Sequence, residues 1–359
     1  MNRREFLQAA SVGMIAPATI PSAYAFTPDA APWRSFEVTT RIEILKPAGV
    51  TRVWIPAPLA QDTRYQKSIG DTFEAVGGTS GIITEQRYGA GIIWAEWPAG
   101  VPPVLTHVGR FATRNVAVDL SAIGDAKRED KATLAKFVRA TEYMPTDGAV
   151  KELSDDIVNG QRTDLNKARA IYEWIVDNTY RDPETRGCGV GNIRFMVENK
   201  AWGGKCADLN ALFVALARAQ GIPARDVYGI RVADSALGYK SLGKSGNISK
   251  AQHCRAEFYI DGLGWIPVDP ADVRKVILEE DGGKSPDDPM VLAARKRLFG
   301  SWEMNWLAYN FSHDITLPNS SRGPLAFLMY PQSETAEGRL DSLDADNFKY
   351  TITSKEIVA

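Results

Sequence analysis

Apolar and polar side chains alternate over much of residues 34–120. Phe36-Glu37-Val38-Thr39-Thr40-Arg41-Ile42-Glu43-Ile44 repeats with a period of two, the signature of a strand with one buried face. Val53-Trp54-Ile55-Pro56 reads as a shorter strand closed by proline. Ile92-Ile93-Trp94-Ala95-Glu96-Trp97 and Leu105-Thr106-His107-Val108-Gly109-Arg110-Phe111 continue the pattern, with Gly77-Gly78 and Pro102-Pro103 as turn signals. Several short strands at this spacing predict a small β-sandwich-like domain over 34–120.

The period then lengthens, and a second domain is expected over 125–285. Residues 127–140 and 149–158 are charged and compatible with helix. Asp164 reads as an N-cap for a helix over 165–178, with Ala168, Ile171, Tyr172 and Ile175 on one face. A further helix starts at Cys206, strands are expected from 225 to about 277, and 290–299 is helical or irregular. The polar stretch 238–249 reads as a loop. Residues 314–317, 325–330 and 348–352 return to strand patterns, so 286–359 is expected to add strands and an extension packed on the core.

The chemistry concentrates where that helix begins. In Gly203-Gly204-Lys205-Cys206-Ala207-Asp208-Leu209, two glycines let the chain turn sharply into the helix. Leu209, Leu212, Phe213 and Leu216 share its buried face, and Gly221-Ile222-Pro223 stops it. Cys206 therefore lies in the first turn, where free N–H groups and the helix dipole favour an anion. A thiolate gains there, and the same N–H groups suit an oxyanion hole. A buried structural cysteine remains the bland alternative. Asp208 reads as a dipole or capping residue.

A hairpin supplies the partners. Apolar runs flank Asp261-Gly262, with His253 eight residues before Asp261 and Asp269 eight after it. Folded about that turn, the two come close across neighbouring strands, and a symmetric register faces them the same way. An aspartate beside a histidine fixes its tautomer and stabilises its protonated form. With Cys206 they make a Cys-His-Asp set able to attack an amide carbonyl and protonate the departing amine.

Gly204-Lys205-Cys206-Ala207-Asp208-Leu209, His253-Cys254-Arg255-Ala256-Glu257-Phe258 and Gly264-Trp265-Ile266-Pro267-Val268-Asp269 together resemble the transglutaminase-like superfamily, in its bacterial exported branch. The resemblance covers roughly residues 160–275. It implies an α+β fold: a papain-like core with the cysteine helix packed on an antiparallel sheet that carries His and Asp. It also implies Cys206, His253 and Asp269 as catalytic residues. Lys205 and Ala207 stand where the animal crosslinking enzymes have Gln and Trp, and the sequence has no calcium-loop pattern. No cofactor or metal is therefore expected.

Composition narrows the rest. With 42 Lys and Arg against 44 Asp and Glu, the net charge is −2, which argues against a nucleic-acid partner. The 359 residues suit about two domains. Asn2-Arg3-Arg4-Glu5-Phe6-Leu7, an apolar run and Ala23-Tyr24-Ala25 resemble a twin-arginine export signal over 1–25, cleaved after Ala25. The expected mature protein is periplasmic or secreted and has no membrane span. A peptide or protein is the expected substrate, with cell-wall peptides suggested by location only. Hydrolysis and transfer to an amine both stay open, and a non-catalytic peptide- or cell-wall-binding module that keeps the fold is the other reading. Trp202 and Tyr228 are candidate substrate-binding residues, and Arg231 a candidate neighbour of the cleft. Cys188 and Cys254 read either as a disulfide or as two free buried thiols. A metal site built from Cys188, Cys206, Cys254 and His253 is a weaker reading, since no C-x-x-C pair exists. His107 and His313 show no partner motif and read as structural.

Overall fold

The computed structural model describes residues 31–122, 124 and 126–358. The expected export segment, 1–25, lies outside the described residues. Among those described, no helix is long and apolar enough to cross a membrane.

The alternating strands form two facing antiparallel sheets. One orders Gly246–Asn247, Phe348–Ile357, Arg34–Ile44, Val104–Thr113 and Gln66–Val76; the other orders Gly338–Leu340, Gln332–Thr335, Thr51–Pro56, Gly91–Trp97 and Thr79–Thr84. Ile42, Ile44, Leu105 and Phe348 from the first sheet meet Val53, Ile55, Ile93 and Trp97 from the second in one buried cluster. A β-rich region thus precedes the core, as the alternation implies. Strands Gln66–Val76 and Thr79–Thr84 escape the sequence pattern because, Gln66 apart, neither has a buried residue, and apolar Ile69 and Val76 are 56% and 60% exposed.

The end of the chain joins both regions. Phe348–Ile357 pairs with Arg34–Ile44 along its length, from Ser35↔Ile357 to Ile44↔Phe348, while its Ile352 is buried with Ile230, Val232 and Leu307 of the core. Gln332–Thr335 likewise pairs with Thr51–Pro56. The physical reason is that each N-terminal sheet would otherwise end in an unpaired row of backbone donors and acceptors. Residues 314–317 and 325–330 form only an isolated bridge, Ile315↔Leu325.

The core centres on the helix Cys206–Ala219, buried at every residue except Asp208. It packs on a four-stranded antiparallel sheet ordered Gly264–Val268, Gln252–Ile260, Ala224–Arg231, Trp306–Asn310. Leu209, Leu212, Phe213 and Leu216 are fully buried, each side chain stabilising the fold by about 1.5–3 kcal/mol. Helices Gly148–Ile157 and Asp164–Asn178 pack against the same helix. Thr163, rather than Asp164, is the N-cap of the second, its Oγ1 accepting from Asn166 N at 3.2 Å. Residues beyond 269 are helical, not strand: Asp269 caps Pro270–Glu279, with Pro270 in its first turn, where a missing N–H costs nothing. The short helix Ile193–Glu198 was not legible in the pattern.

Candidate active site

Cys206 is the first residue of its helix, and a half-buried carboxylate fixes that start. Asp208 Oδ2 accepts from Lys205 N at 2.9 Å, while Oδ1 accepts from Val190 N at 3.0 Å and Gly191 N at 2.9 Å. Asp208 thus clamps the loop around Cys188 to the helix, beyond the capping role expected of it. Ala207 N completes the clamp by donating to Cys188 O at 2.9 Å. The approach demands glycine: at Gly189 (φ +90°) a Cβ would fall 1.8 Å from Asp208 Oδ2. Burial pushes the Asp208 carboxyl up, opposed by its three N–H donors.

The hairpin brings His253 to Asp269 along a diagonal. Its register pairs Ala256 with Val268 and Ile260 with Gly264, so continuing one residue sets Asp269 opposite Arg255. His253 and Asp269 are then diagonal neighbours on one face. His253 Nε2 lies 2.8 Å from Asp269 Oδ2 and 3.4 Å from Asp272 Oδ1. Nε2 is therefore taken, and Nδ1 is the ring nitrogen left for the thiol. Asp269 Oδ1 accepts from Asp272 N at 3.0 Å and Asn210 Nδ2 at 3.1 Å. Arg231 Nη2 donates to Asp272 Oδ1 at 2.6 Å, and Arg255 Nε lies 3.6 Å from Asp269 Oδ2. All of these side chains are buried.

Electrostatics push thiol and imidazole toward opposite charges. Hydrogen bonds from Cys188 and Cys254, then contact with His253, hold the Cys206 thiol well below its usual value despite burial. Cys188 and Cys254 move up in return, Cys188 mainly through its bond to Cys206 and Cys254 mainly through burial. Burial alone would lower His253, but Asp272 and Asp269 outweigh it despite Arg231, and the imidazole is raised to about 9. Burial would raise Asp272, yet Arg231 and His253 hold it well below the carboxylate range. Burial and Asp272 push Asp269 up, against His253 and Arg255. The contacting charges balance when sulfur is anionic: His253, Arg231 and Arg255 face Asp269, Asp272 and Cys206. A neutral thiol would leave an excess positive charge in a buried place, which is costly.

His253, Asp269 and Asp272 offer ligand atoms within 4.8 Å of one another. A metal there would meet two guanidinium groups already engaged with the carboxylates. This set also differs from the cysteine-rich one weighed from sequence. All three cysteines are free; no Cys188–Cys254 disulfide is present, and Cys206 sits in contact with both.

The other candidates move away from the chemistry. Tyr228 is 2% exposed and stacks on Phe327 at 4.9 Å, because every residue of its strand is buried between the cysteine helix and other elements. Trp202 packs edge-on against Trp174 at 5.2 Å. Neither is among the residues that line the cleft at Cys206. Arg231 does line it. Sequence reasoning missed Asp272, Arg255 and Asn210. The first two carried a signal: Asp272 follows Asp269 by three on a helix, and Arg255 follows His253 by two on a strand face.

Cys206 and His253 open onto a cleft of about 930 Å³, shared with Cys188, Lys205, Gln252 and Tyr330. A thiolate beside an imidazolium at the wall of such a cleft can attack a bound carbonyl and return a proton.

Known proteins carry the same arrangement of fold. A solved structure from Cytophaga hutchinsonii, provisionally described as a cysteine protease, superposes with a TM-score of 0.52 at 17% identity, covering 90% of this chain and 99% of its own. A curated but uncharacterized protein of Haemophilus influenzae is 35% identical over 341 residues, spanning 90% of this chain and 91% of the relative. Residues 151–270 match the model of the transglutaminase-like superfamily, a span that holds Cys206, His253 and Asp269. On the family match and on the relative shared over nearly its whole length, the chain belongs to the transglutaminase-like superfamily.

Proposed function

We propose that this protein is an exported, cysteine-dependent amide-bond hydrolase or acyltransferase that works through a thioester. The observation that carries this is geometric: Cys206 opens a buried helix at the wall of a cleft shared with His253, whose Nε2 is held by Asp269 at 2.8 Å, and the surrounding charges favour a thiolate–imidazolium pair. Cys206 Sγ attacks the amide carbonyl carbon, and the C=O electron pair moves to oxygen. The Cys206 N–H is suited to receive that oxyanion, because Ala207 N and Asp208 N are already bonded to Cys188 O and Lys205 O. On collapse the C–N bond breaks, and His253 gives its Nδ1 proton to the leaving amine. Asp269 holds the ring from Nε2. Neutral His253 then takes a proton from water or a second amine, which attacks the thioester and restores the thiolate. Water yields a carboxylic acid; an amine yields a new amide.

Iodoacetamide labelling near pH 6 tests the resting state. Rapid, selective alkylation of Cys206, suppressed in His253→Ala, is the expected result. Labelling as sluggish as a free thiol would instead favour a binding module that keeps the fold. Mass spectrometry after incubation with peptide and peptidoglycan-fragment pools then reads the acyl group added to Cys206. Added amines reveal the preferred acceptor.

A further inference from the structure

The cleft at Cys206 has a charge unlike that of the chain. Overall, basic and acidic residues nearly cancel, at 42 against 44. Eight lysine and arginine side chains line the cleft, and no aspartate or glutamate does. Five of them lean on acids outside the lining: Arg231 on Asp272, Arg181 and Lys275 on Glu279, Arg186 on Asp341, and Lys349 on Glu43. Lys205, next to the nucleophile, spends its ammonium on two backbone carbonyls, Pro183 O at 3.1 Å and Thr185 O at 2.6 Å. It brings a full positive charge and takes no carboxylate in exchange. Lys244 and Lys250 have no ion pair or hydrogen bond to their ammonium groups among the described residues, and both are exposed.

Those two lysines come from one polar loop between strands Ala224–Arg231 and Gln252–Ile260. They therefore stand just ahead of His253 in the chain, on the same cleft wall. A concave site lined by one sign of charge focuses its field on whatever enters. Tyr330, Tyr350 and Phe348 add ring surface to the same cleft, suited to side chains of an extended peptide.

We infer that the acyl donor is an acidic peptide, whose carboxylates near the scissile amide are met by Lys244 and Lys250. The inference rests on Cys206 being the nucleophile, and it names the substrate class of that same site. Neutral peptides fit the volume but leave the two ammonium groups without partners. Basic peptides meet Lys205, Lys244 and Lys250, whose charges no carboxylate among the described residues pairs, a repulsive element that gives specificity by exclusion.

Protection of Cys206 from iodoacetamide tests this without requiring turnover. Three peptide pools of equal length are compared, rich in Asp and Glu, in Asn and Gln, or in Lys. Each protein is first alkylated alone, and protection is read against that baseline. Acidic peptides are expected to protect at roughly tenfold lower concentration than neutral ones, with the gap closing as salt is raised. In the Lys244→Glu, Lys250→Glu double variant the preference should fall to about parity or reverse. Equal protection by acidic and neutral pools, or a preference untouched in the double variant, would overturn the inference. So would protection by inorganic phosphate or heparin matching that of the acidic pool, since the cleft would then be a general anion site. A slow baseline alkylation is a separate outcome: it removes the nucleophile itself, and the substrate assignment with it.

Discussion

Two of the molecule's histidine–aspartate pairs lie diagonally across antiparallel strands, in two regions with different fates. In the core, His253 Nε2 lies 2.8 Å from Asp269. In the sandwich, His107 Nε2 lies 2.7 Å from Asp71. Both pairs are diagonal across antiparallel strands: Asp269 follows a register that sets it opposite Arg255, and Asp71 sits opposite Gly109. Both histidines are buried. The surroundings differ. Beneath the sandwich pair is Gly109, where a Cβ would already crowd Asp71 Oδ1 at 3.1 Å, and His107 Nδ1 has no hydrogen-bond partner among the described residues. The core pair has Arg255 in that position, a second carboxylate at Asp272, and a thiol within reach. An aspartate orients a ring in either place. Of the two, the core pair alone has a thiol, extra charges and a cleft beside it, the setting that the proposed chemistry needs.

The largest separation of the two regions should come from removing the histidines. His253→Ala is expected to slow Cys206 alkylation near pH 6 by roughly a hundredfold, whereas His107→Ala should change it less than about twofold. Loss of a hundredfold in both variants would mean that the core pair is not special. Asp269→Asn is expected to lower turnover by up to roughly a thousandfold through the wrong tautomer, with Asp71→Asn near wild type in the same assay.

The pH profile is the next discriminator. His253 stays protonated up to about 9, so turnover should fall above that pH as the proton donor is lost. The linked stability has a definite sign. His253 is raised above its usual 6.5, so its contribution is full below that value and fades as pH rises through about 9. In a Cys206→Ala background, which removes the opposing contribution of the depressed thiol, urea midpoints between pH 7 and 10 should decline more steeply than in the same background carrying His253→Ala. The smallest effect belongs to the flanking thiols. Cys188→Ala or Cys254→Ala removes a hydrogen bond to the sulfur, raising the apparent thiol pKa and slowing alkylation at pH 6 by up to about tenfold. Unchanged rates in both would leave His253 as the sole support of the thiolate.

Much of this site was legible because its parts are local. The glycine-led helix start and the Asp261-Gly262 hairpin each carry their meaning within about twenty residues of chain. The hairpin's centre was misjudged by one position, but the resulting slip of two residues in pairing conserves the face. What stayed hidden depends on distant chain. Arg231 meets Asp272 across forty-one residues, and Asp71 meets His107 across thirty-six. No periodicity announces such pairs. Helix Pro270–Glu279 was hidden for another reason: its Asp-Pro start follows a strand with no intervening loop, so the apolar run seemed continuous.

The pairing of the final strand with the first has a consequence for how the protein is made. During synthesis Arg34–Ile44 emerges well before its neighbour Phe348–Ile357, which leaves the ribosome only after the entire core. The sandwich is closed by a strand that follows its partner across the whole core, a late fastening with very high sequence separation. A chain cut short before Phe348 would present the open flank of its first strand to any other unfinished copy, and aggregation rather than a simple loss of rate is the expected result of such a truncation.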